Sequence, residues 1–215
     1  MTAMARASDI LAVAAREIGT VEQPGNRQKY GKAYGVDGVY WCMQFVWWVF
    51  QQVDKQLFMA GGRTASCGEL MRWAQRNGQW VTHDFRPGDV LIYNFPGTDV
   101  QTDHTGICES VSGDTVTAIE GNTSSGAKGS QDNGDGVYRK TRKRSLVLGA
   151  YRPKYDAEPA RERDNVPAAW ARESVEWAIA AGLIKGDAAG DLKLRDSITR
   201  EQAVVLLHRL WMLLR

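Results

Sequence analysis

Nucleophilic chemistry in this 215-residue chain would depend on its three cysteines and three histidines. A cysteine attacks as a thiolate and needs a base, most often a histidine, to take its proton. Cys42 is the candidate nucleophile because it stands in the first turn of a predicted helix, where unpaired N–H groups and the helix dipole favour a thiolate. His104 is the candidate base, since it opens a predicted strand and Gly106 leaves room beside it for another backbone or a substrate.

The other cysteines and histidines are predicted to be structural. Cys67 precedes a helix in a loop-like setting, and Cys108 belongs to a strand. His83 lies in a solvated loop, and His208 lies on the surface or boundary of a C-terminal helix. A structural interpretation is also open for Cys42, because most free cysteines are small buried hydrophobic residues.

Two polar residues could orient the imidazole. Glu120 and Asn122 are two apart on a predicted strand and therefore project from the same face. If the strands of His104 and Glu120 are neighbours, a carboxylate or an amide can reach the ring and complete a triad. The alternative is that residues 120–124 form a polar turn without a catalytic role.

Helices must position the cysteine. Ser8 and Asp9 can cap a first helix, which Gly19 ends. A second helix should run from about Cys42 to residue 53, because its apolar side chains recur at helical spacing. A third is predicted over 68–76, and the Gly-rich stretch between the first two is predicted to be irregular.

After Pro87 the apolar period changes to two, which indicates strands at 89–94, 103–111, 114–120, 136–142 and 147–152. Helices followed by a meander of short strands predict an α+β fold with an antiparallel sheet. This domain is expected to cover 1–152. The charged, Pro-containing segment 153–165 is expected to be a linker.

The remaining residues, 166–215, form a predicted small helical module. Its two amphipathic helices are expected at about 167–181 and 199–214, and Thr199 with Gln202 forms a capping box for the second. A helix pair of about fifty residues is marginally stable alone, so the module should pack on a partner surface or on a second copy.

Composition excludes several classes of protein. With 43% hydrophobic residues, the chain can form a core, and no apolar run approaches the ~18 residues of a membrane span. An odd number of cysteines without a close pair encodes neither a disulfide framework nor a zinc site. No signal peptide is evident, because charged residues interrupt the apolar run at 10–15, so synthesis and folding in a cytoplasm are expected.

Charge gives little indication of a partner, since the net charge is only +2. Five of the six residues at 139–144 are basic. As a strand with charges on both faces, this run is predicted to be an exposed sheet edge protected from aggregation. It could also help the protein settle on an anionic surface. Nucleic acid and membranes are not expected partners.

Four segments taken together resemble the CHAP family of cysteine amidohydrolases and peptidases. They are WCMQFVWWVF at 41–50, RPGDV at 86–90, DHTGI at 103–107 and IEGNT at 119–123, in the family's order. The resemblance covers about residues 5–152. It implies a papain-like arrangement and the hydrolysis of peptidoglycan, as in many bacteriophage endolysins.

The resemblance also implies roles for individual residues. Cys42 would be the nucleophile, His104 the general base and then acid, and Glu120 with Asn122 the residues that orient the imidazole. Backbone N–H groups of Cys42 and Met43 would bind the oxyanion.

Aromatic residues near the nucleophile, Tyr40 and Trp47 with Tyr30 and Tyr34, could line a substrate groove, although core packing is an alternative. Some relatives hold calcium just before the nucleophile. Here that stretch offers Asp37 alone, which is short of the oxygen ligands such an ion needs, so neither a metal nor another cofactor is expected.

The C-terminal module resembles an S-layer homology repeat, a module that anchors proteins to wall polysaccharide. Trp170, AIAAGLIKGD at 178–187 and ITREQA at 198–203 carry the resemblance. Such repeats usually act in threes and this chain has one, so a homo-oligomer formed through 166–215 could supply the missing copies.

Together these features predict a phage or prophage endolysin that cuts an amide bond of peptidoglycan, either as an N-acetylmuramoyl-L-alanine amidase or as an endopeptidase. It would be held in the host cytoplasm and then reach the cell wall. Two alternatives stay open: a non-catalytic wall-binding protein, and a bacterial wall-remodelling cysteine peptidase.

Overall fold

The computed structural model describes residues 5–97, 101–126, 130–131, 133–157, 164–188 and 190–213. The chain divides into two units, Met1–Glu158 and Pro159–Arg215.

Four α-helices of the first unit precede its main sheet. They are α1 (Ala7–Arg16), α2 (Lys29–Tyr34), α3 (Cys42–Val53) and α4 (Cys67–Arg76). The sequence predicts three of them and treats the region of α2 as irregular. That six-residue helix forms despite its glycine because the Gln28 side chain accepts from the Gly31 N–H, while Gly35 ends it with a left-handed backbone.

Six strands form one sheet in the order β1-β6-β2-β3-β4-β5. Their bounds are β1 (Trp80–Val81), β2 (Val90–Tyr93), β3 (His104–Ser112), β4 (Thr115–Thr123), β5 (Gly136–Lys143) and β6 (Val147–Tyr151). All pairings among the described residues are antiparallel. The predicted α+β class is confirmed, and the short strand β1 is an addition to the five predicted strands.

Two apolar clusters stabilise the sheet. One joins it to the helices, where Phe45 and Val49 of α3 are fully buried together with Ile107 and Ile119. A β-carbon at Gly121 would lie 2.7 Å from Phe45 Cβ, so this glycine lets α3 pack directly on β4.

The second cluster contains side chains from the central strands and the loop before β2. Its members are Phe85, Leu91, Tyr93, Cys108, Val116, Ala118 and Ala150. Strands β3 and β4 contribute to both clusters and are buried over much of their length, so polar groups placed on them are largely shielded from water.

The second unit contains α5 (Arg172–Ala180) and α6 (Arg200–Leu213). The predicted capping box of α6 is confirmed, because the Thr199 N–H donates to Gln202 Oε1 and the Gln202 N–H donates to Thr199 Oγ1. No residue of α6 is buried, although the helix carries many apolar side chains. Within the described ranges, no helix has the length and apolar character needed to cross a bilayer.

Candidate active site

Cys42 is the first residue of α3, and its thiol lies at the positive end of a twelve-residue helix. The residue is only 7% exposed. N–H groups in the first turn of a helix have no acceptor within that helix, so they can bind negative charge that develops nearby. The position therefore favours both a thiolate and an oxyanion.

His104 and Glu120 form a buried pair on neighbouring strands. Nε2 of His104 lies 3.1 Å from Oε2 of Glu120, and neither side chain is exposed. A β-carbon at Gly106 would lie 2.5 Å from Cγ of Glu120, so the space that this glycine leaves is filled by the glutamate. Among the described residues, the buried Nδ1 of His104 has no nitrogen or oxygen partner, while Cys42 is the other group with which the imidazole interacts.

Arg142 on β5 binds both oxygens of the Glu120 carboxylate. Its Nε donates to Oε1 of Glu120 at 2.7 Å, and a terminal nitrogen donates to Oε2 at 2.5 Å. Burial would raise the pKa of Glu120, but the hydrogen bonds from Arg142 and His104 lower it below its usual value. Glu120 is therefore an ionised carboxylate.

The thiol of Cys42 ionises more easily than an ordinary cysteine. A hydrogen bond from the thiol of Cys67 lowers its pKa most; burial opposes the shift, and His104 with the Met43 N–H lowers the pKa further. The pKa of Cys67 is raised by the same contact and by burial, so Cys67 keeps its proton and acts as the donor.

The pKa of the His104 imidazole is shifted in the opposite direction to that of Cys42. Burial would lower the pKa of His104, but its interactions with Cys42 and Glu120 outweigh burial and raise the pKa to about 9. The lowered pKa of Cys42 and the raised pKa of His104 both favour the form of the pair in which the proton lies on the imidazole.

Two aromatic rings enclose this polar group. The rings of Tyr93 and Phe95 stack on His104 at 6.1 and 6.0 Å between centroids. The guanidinium of Arg142 lies over the same rings at 5.3 and 4.9 Å. Their faces favour cations, so they stabilise both partners of Glu120.

The polar atoms of the Asn122 side chain bind backbone groups, whereas the sequence pattern predicts that they orient the imidazole. Its Oδ1 accepts from the Trp41 N–H at 2.9 Å, and its Nδ2 donates to the Gly134 carbonyl at 2.9 Å. The strand alternation fails because Asn122 has a φ of 58° and the β4–β5 register shifts between Glu120 and Thr123. Asn122 therefore holds Trp41, the residue before Cys42, while Glu120 contacts the imidazole.

The predicted substrate-binding residues separate into different environments. Tyr40 is 59% exposed beside the start of α3, whereas the Met43 side chain is 1% exposed and belongs to the core. The Met43 contribution to the site is its backbone N–H, which faces Cys42. Trp47 is half-buried and packs edge-to-face on Tyr34 at 5.1 Å.

Tyr30 is fully buried and donates its hydroxyl proton to Glu17 at 2.7 Å, so of the two interpretations left open for it, core packing is correct and groove lining is not. His83 and His208 are exposed, as predicted. Cys67, predicted in a loop, is the first residue of α4 and interacts with Cys42.

The basic run at 139–144 also differs from expectation. Strand β5 is a sheet edge, but its residues alternate between exposed and buried, and Lys140 and Arg142 are only 9% exposed. Lys140 donates to the carbonyl of Ser124 at 2.7 Å. The prediction of charges exposed on both faces is therefore wrong for these two residues.

The carboxylate considered for calcium has a structural partner. Oδ1 of Asp37 accepts from the Gln28 N–H at 3.0 Å, next to the start of α2. Among the residues that the structure describes, no group of three or more His, Cys, Asp or Glu side chains is placed to hold a metal ion.

Two domain families match this chain, in the order in which the sequence motifs occur. No curated protein matches the sequence. Two solved structures are similar to it. The wild-type endolysin LysIME-EF1 is 17% identical, and the match covers 72% of this chain and 67% of that one with a TM-score of 0.44. Ly7917 is 18% identical, and the match covers 68% of this chain and 62% of that one with a TM-score of 0.43. Residues 33–122 match the CHAP domain and residues 164–204 match the S-layer homology domain.

Proposed function

We propose that this chain, with a CHAP domain followed by an S-layer homology domain, is a peptidoglycan hydrolase of the bacteriophage endolysin type. Its first unit would cut an amide bond by Cys-His catalysis, and its second would hold the enzyme on the wall. The arrangement of Cys42, His104 and Glu120 is the observation that supports the proposal. A buried thiolate at a helix start, beside an imidazolium held in place by a carboxylate, is suited to acyl transfer.

The first step is attack by the Cys42 thiolate on the amide carbonyl carbon. The carbonyl electron pair moves onto oxygen, and the N–H groups of Cys42 and Met43 stabilise the oxyanion. His104 then gives its proton to the leaving nitrogen, so the C–N bond breaks and a thioester with Cys42 remains.

The second step releases the acyl group. His104, now neutral, takes a proton from water, and the resulting hydroxide attacks the thioester carbonyl. The C–S bond breaks, the thiolate of Cys42 returns, and the proton stays on His104. Glu120 keeps the ring in position through both steps, because its carboxylate is bound to Nε2 while Nδ1 exchanges the proton.

The same chemistry serves two kinds of bond. The amide between muramic acid and L-alanine and a peptide bond in the stem or crossbridge both present a carbonyl to the thiolate. Mass spectrometry of the digestion products distinguishes them, since an amidase frees the muramoyl lactyl group and an endopeptidase leaves it joined to peptide.

The second unit is proposed to bind wall polysaccharide. A groove of about 1090 Å³ lies within it, and its lining combines charged side chains with the ring of Trp170. The charged residues include Lys185, Asp187, Arg195 and Arg209. Trp170 is 90% exposed, and an open aromatic face beside hydrogen-bonding groups suits a sugar ring.

The same unit is proposed to associate with copies of itself. Val204, Leu207 and Met212 on α6 are each more than half exposed, and an apolar helix gains stability when a partner covers it. Light scattering at micromolar concentration should show an oligomer. A monomer with undiminished wall binding would contradict this association.

The hydrolase proposal is tested with Cys42→Ala and the matched control Cys108→Ala, which removes a buried thiol from the second apolar cluster. Cys42→Ala should abolish release of soluble muropeptides from purified walls and leave wall binding and the unfolding temperature unchanged. Cys108→Ala should retain hydrolysis. Muropeptide release by Cys42→Ala would refute the proposal, and absence of release by the wild-type protein would favour a non-catalytic wall-binding protein.

A further inference from the structure

Arg142 belongs to a basic run whose sequence suggested a solvated edge, yet its guanidinium is buried against Glu120. Both oxygens of the carboxylate are occupied by this one side chain, in the two-pronged geometry that only arginine provides. Oε2 is shared between Arg142 and Nε2 of His104. The arginine and the imidazole are therefore joined through a single oxygen atom.

We propose that Arg142 is a positioning residue for catalysis, which fixes the Glu120 carboxylate in orientation and charge so that His104 stays aligned with Cys42. This inference rests on the proposed function. It adds a residue of β5 to functional residues that otherwise come from α3, β3 and β4.

The surroundings explain why such a residue is needed. Glu120 is wholly buried, and a buried carboxylate with one imidazole partner would tend to take up a proton or turn away. The rings of Tyr93 and Phe95, which pack against both His104 and Arg142, offer no positive charge. Arg142 supplies that charge, and its guanidinium is itself held by the two rings and by Gln131 Oε1 at 3.3 Å.

The chain offers a matched control on the same strand. Arg139 makes an equivalent two-pronged pair with Glu109 of β3, at 2.5 and 2.8 Å, but that pair lies outside the site and its arginine is half exposed. Removing it deletes the same kind of interaction at a distance from His104. Exposed ion pairs contribute little to stability, so Arg139→Met should fold normally.

The experiment compares the wild-type chain with Arg142→Met, Arg142→Lys and Arg139→Met. Three quantities are measured for each: kcat/KM for muropeptide release, the pH dependence of alkylation of Cys42 by iodoacetamide followed by mass spectrometry of its peptide, and the thermal unfolding midpoint. Alkylation reports the thiolate without any wall substrate, so it distinguishes failure of this inference from failure of the proposed function.

We expect Arg142→Met to lower kcat/KM by about 10- to 100-fold, the size of a lost hydrogen bond to a charged group. Its alkylation midpoint should rise by about one pH unit, because loss of a positive charge and a loosened carboxylate both disfavour the thiolate. Arg142→Lys should keep the midpoint near that of the wild type but lose about tenfold in kcat/KM, since one ammonium cannot fix both oxygens.

Wild-type values of kcat/KM and of the alkylation midpoint in Arg142→Met would overturn the inference. An equal loss in Arg139→Met would also overturn it, because the effect would then be general to the sheet. If Arg142→Met does not fold, the test rests on Arg142→Lys. An unchanged kcat/KM in Arg142→Lys would contradict a positioning role for Arg142. A lower kcat/KM with an unchanged thermal unfolding midpoint would support that role. If the wild-type protein releases no muropeptides, the proposed function fails. The alkylation midpoints of the variants still test whether Arg142 influences the Cys42 thiolate.

Discussion

The buried thiols of Cys67 and Cys42 interact, and this interaction is the largest cause of the lowered pKa of Cys42. Each residue is the first of its helix, Cys42 in α3 and Cys67 in α4. A thiolate is stabilised by any donor placed against it, and here the donor is a second thiol that burial keeps protonated. We therefore expect Cys67 to increase the reactivity of Cys42 without attacking substrate itself.

Replacing Cys67 by Ala should raise the pKa of Cys42 by about one unit, because the largest cause of its lowered pKa is removed. The pH at which iodoacetamide alkylates Cys42 at half its maximal rate would move up by the same amount. Cys67→Ser, which keeps a donor, should shift it less. Cys108→Ala is the control, and identical midpoints in all four proteins would contradict the role of Cys67.

Hydrolysis should fall on the alkaline side with a midpoint near pH 9. His104 must be protonated to release the leaving nitrogen, and its raised pKa of about 9 keeps that proton through neutral pH and loses it above this value. Alkylation of Cys42 needs only the thiolate and should not fall in the same range. The two pH profiles, measured from pH 5 to 10.5, would contradict this assignment if hydrolysis fell near pH 6.5.

Asn122→Gly should lower the free energy of unfolding by about 1–3 kcal/mol and reduce kcat, because the buried N–H of Trp41 loses its acceptor and the start of α3 is released. Glycine is the informative substitution, since it adopts the φ of 58° without strain. Asn122→Asp retains an acceptor for Trp41 and should recover part of the activity. Urea unfolding and turnover are the measurements, and full activity in Asn122→Gly would show that Trp41 needs no such support.

Gly106→Ala should impair the site although no polar group is lost. The added carbon would lie 2.5 Å from Cγ of Glu120, so the glutamate has to move away from His104. We expect a loss of about 1–3 kcal/mol in stability and a reduced kcat. Ser110→Ala, an exposed change on the same strand, is the control. Wild-type turnover in Gly106→Ala would mean that Glu120 can be displaced without consequence.

Local sequence patterns predict much of this fold because they record which face of an element is buried. The helical spacing after Cys42 places that residue at a helix start, and the alternation after Pro87 locates the main strands within a few residues. The pair His104 and Glu120 follows from the same alternation once β3 and β4 are neighbours. The motif order then indicates the CHAP domain.

The missed features depend on contacts between distant segments. Cys67 appears in the sequence as an ordinary thiol before a helix, and only the packing of α4 brings it to Cys42. Arg142 appears as one charge among five, although its strand alternation already separates it from exposed Arg139 and Lys143. Asn122 was assigned to the wrong neighbour because a positive φ breaks the alternation on which the prediction depends.

The bond between Trp41 and Asn122 spans 81 residues of sequence, which has a consequence for biosynthesis. Contacts between distant segments form late in folding, because the loop between them must first be closed. A nascent chain that has released residues up to 120 contains Cys42 and His104 but lacks Asn122 and all of β5. We therefore expect the site to be completed only after β5 has joined the sheet, so that incomplete chains on the ribosome lack both the Arg142 pair with Glu120 and the bond that supports Trp41.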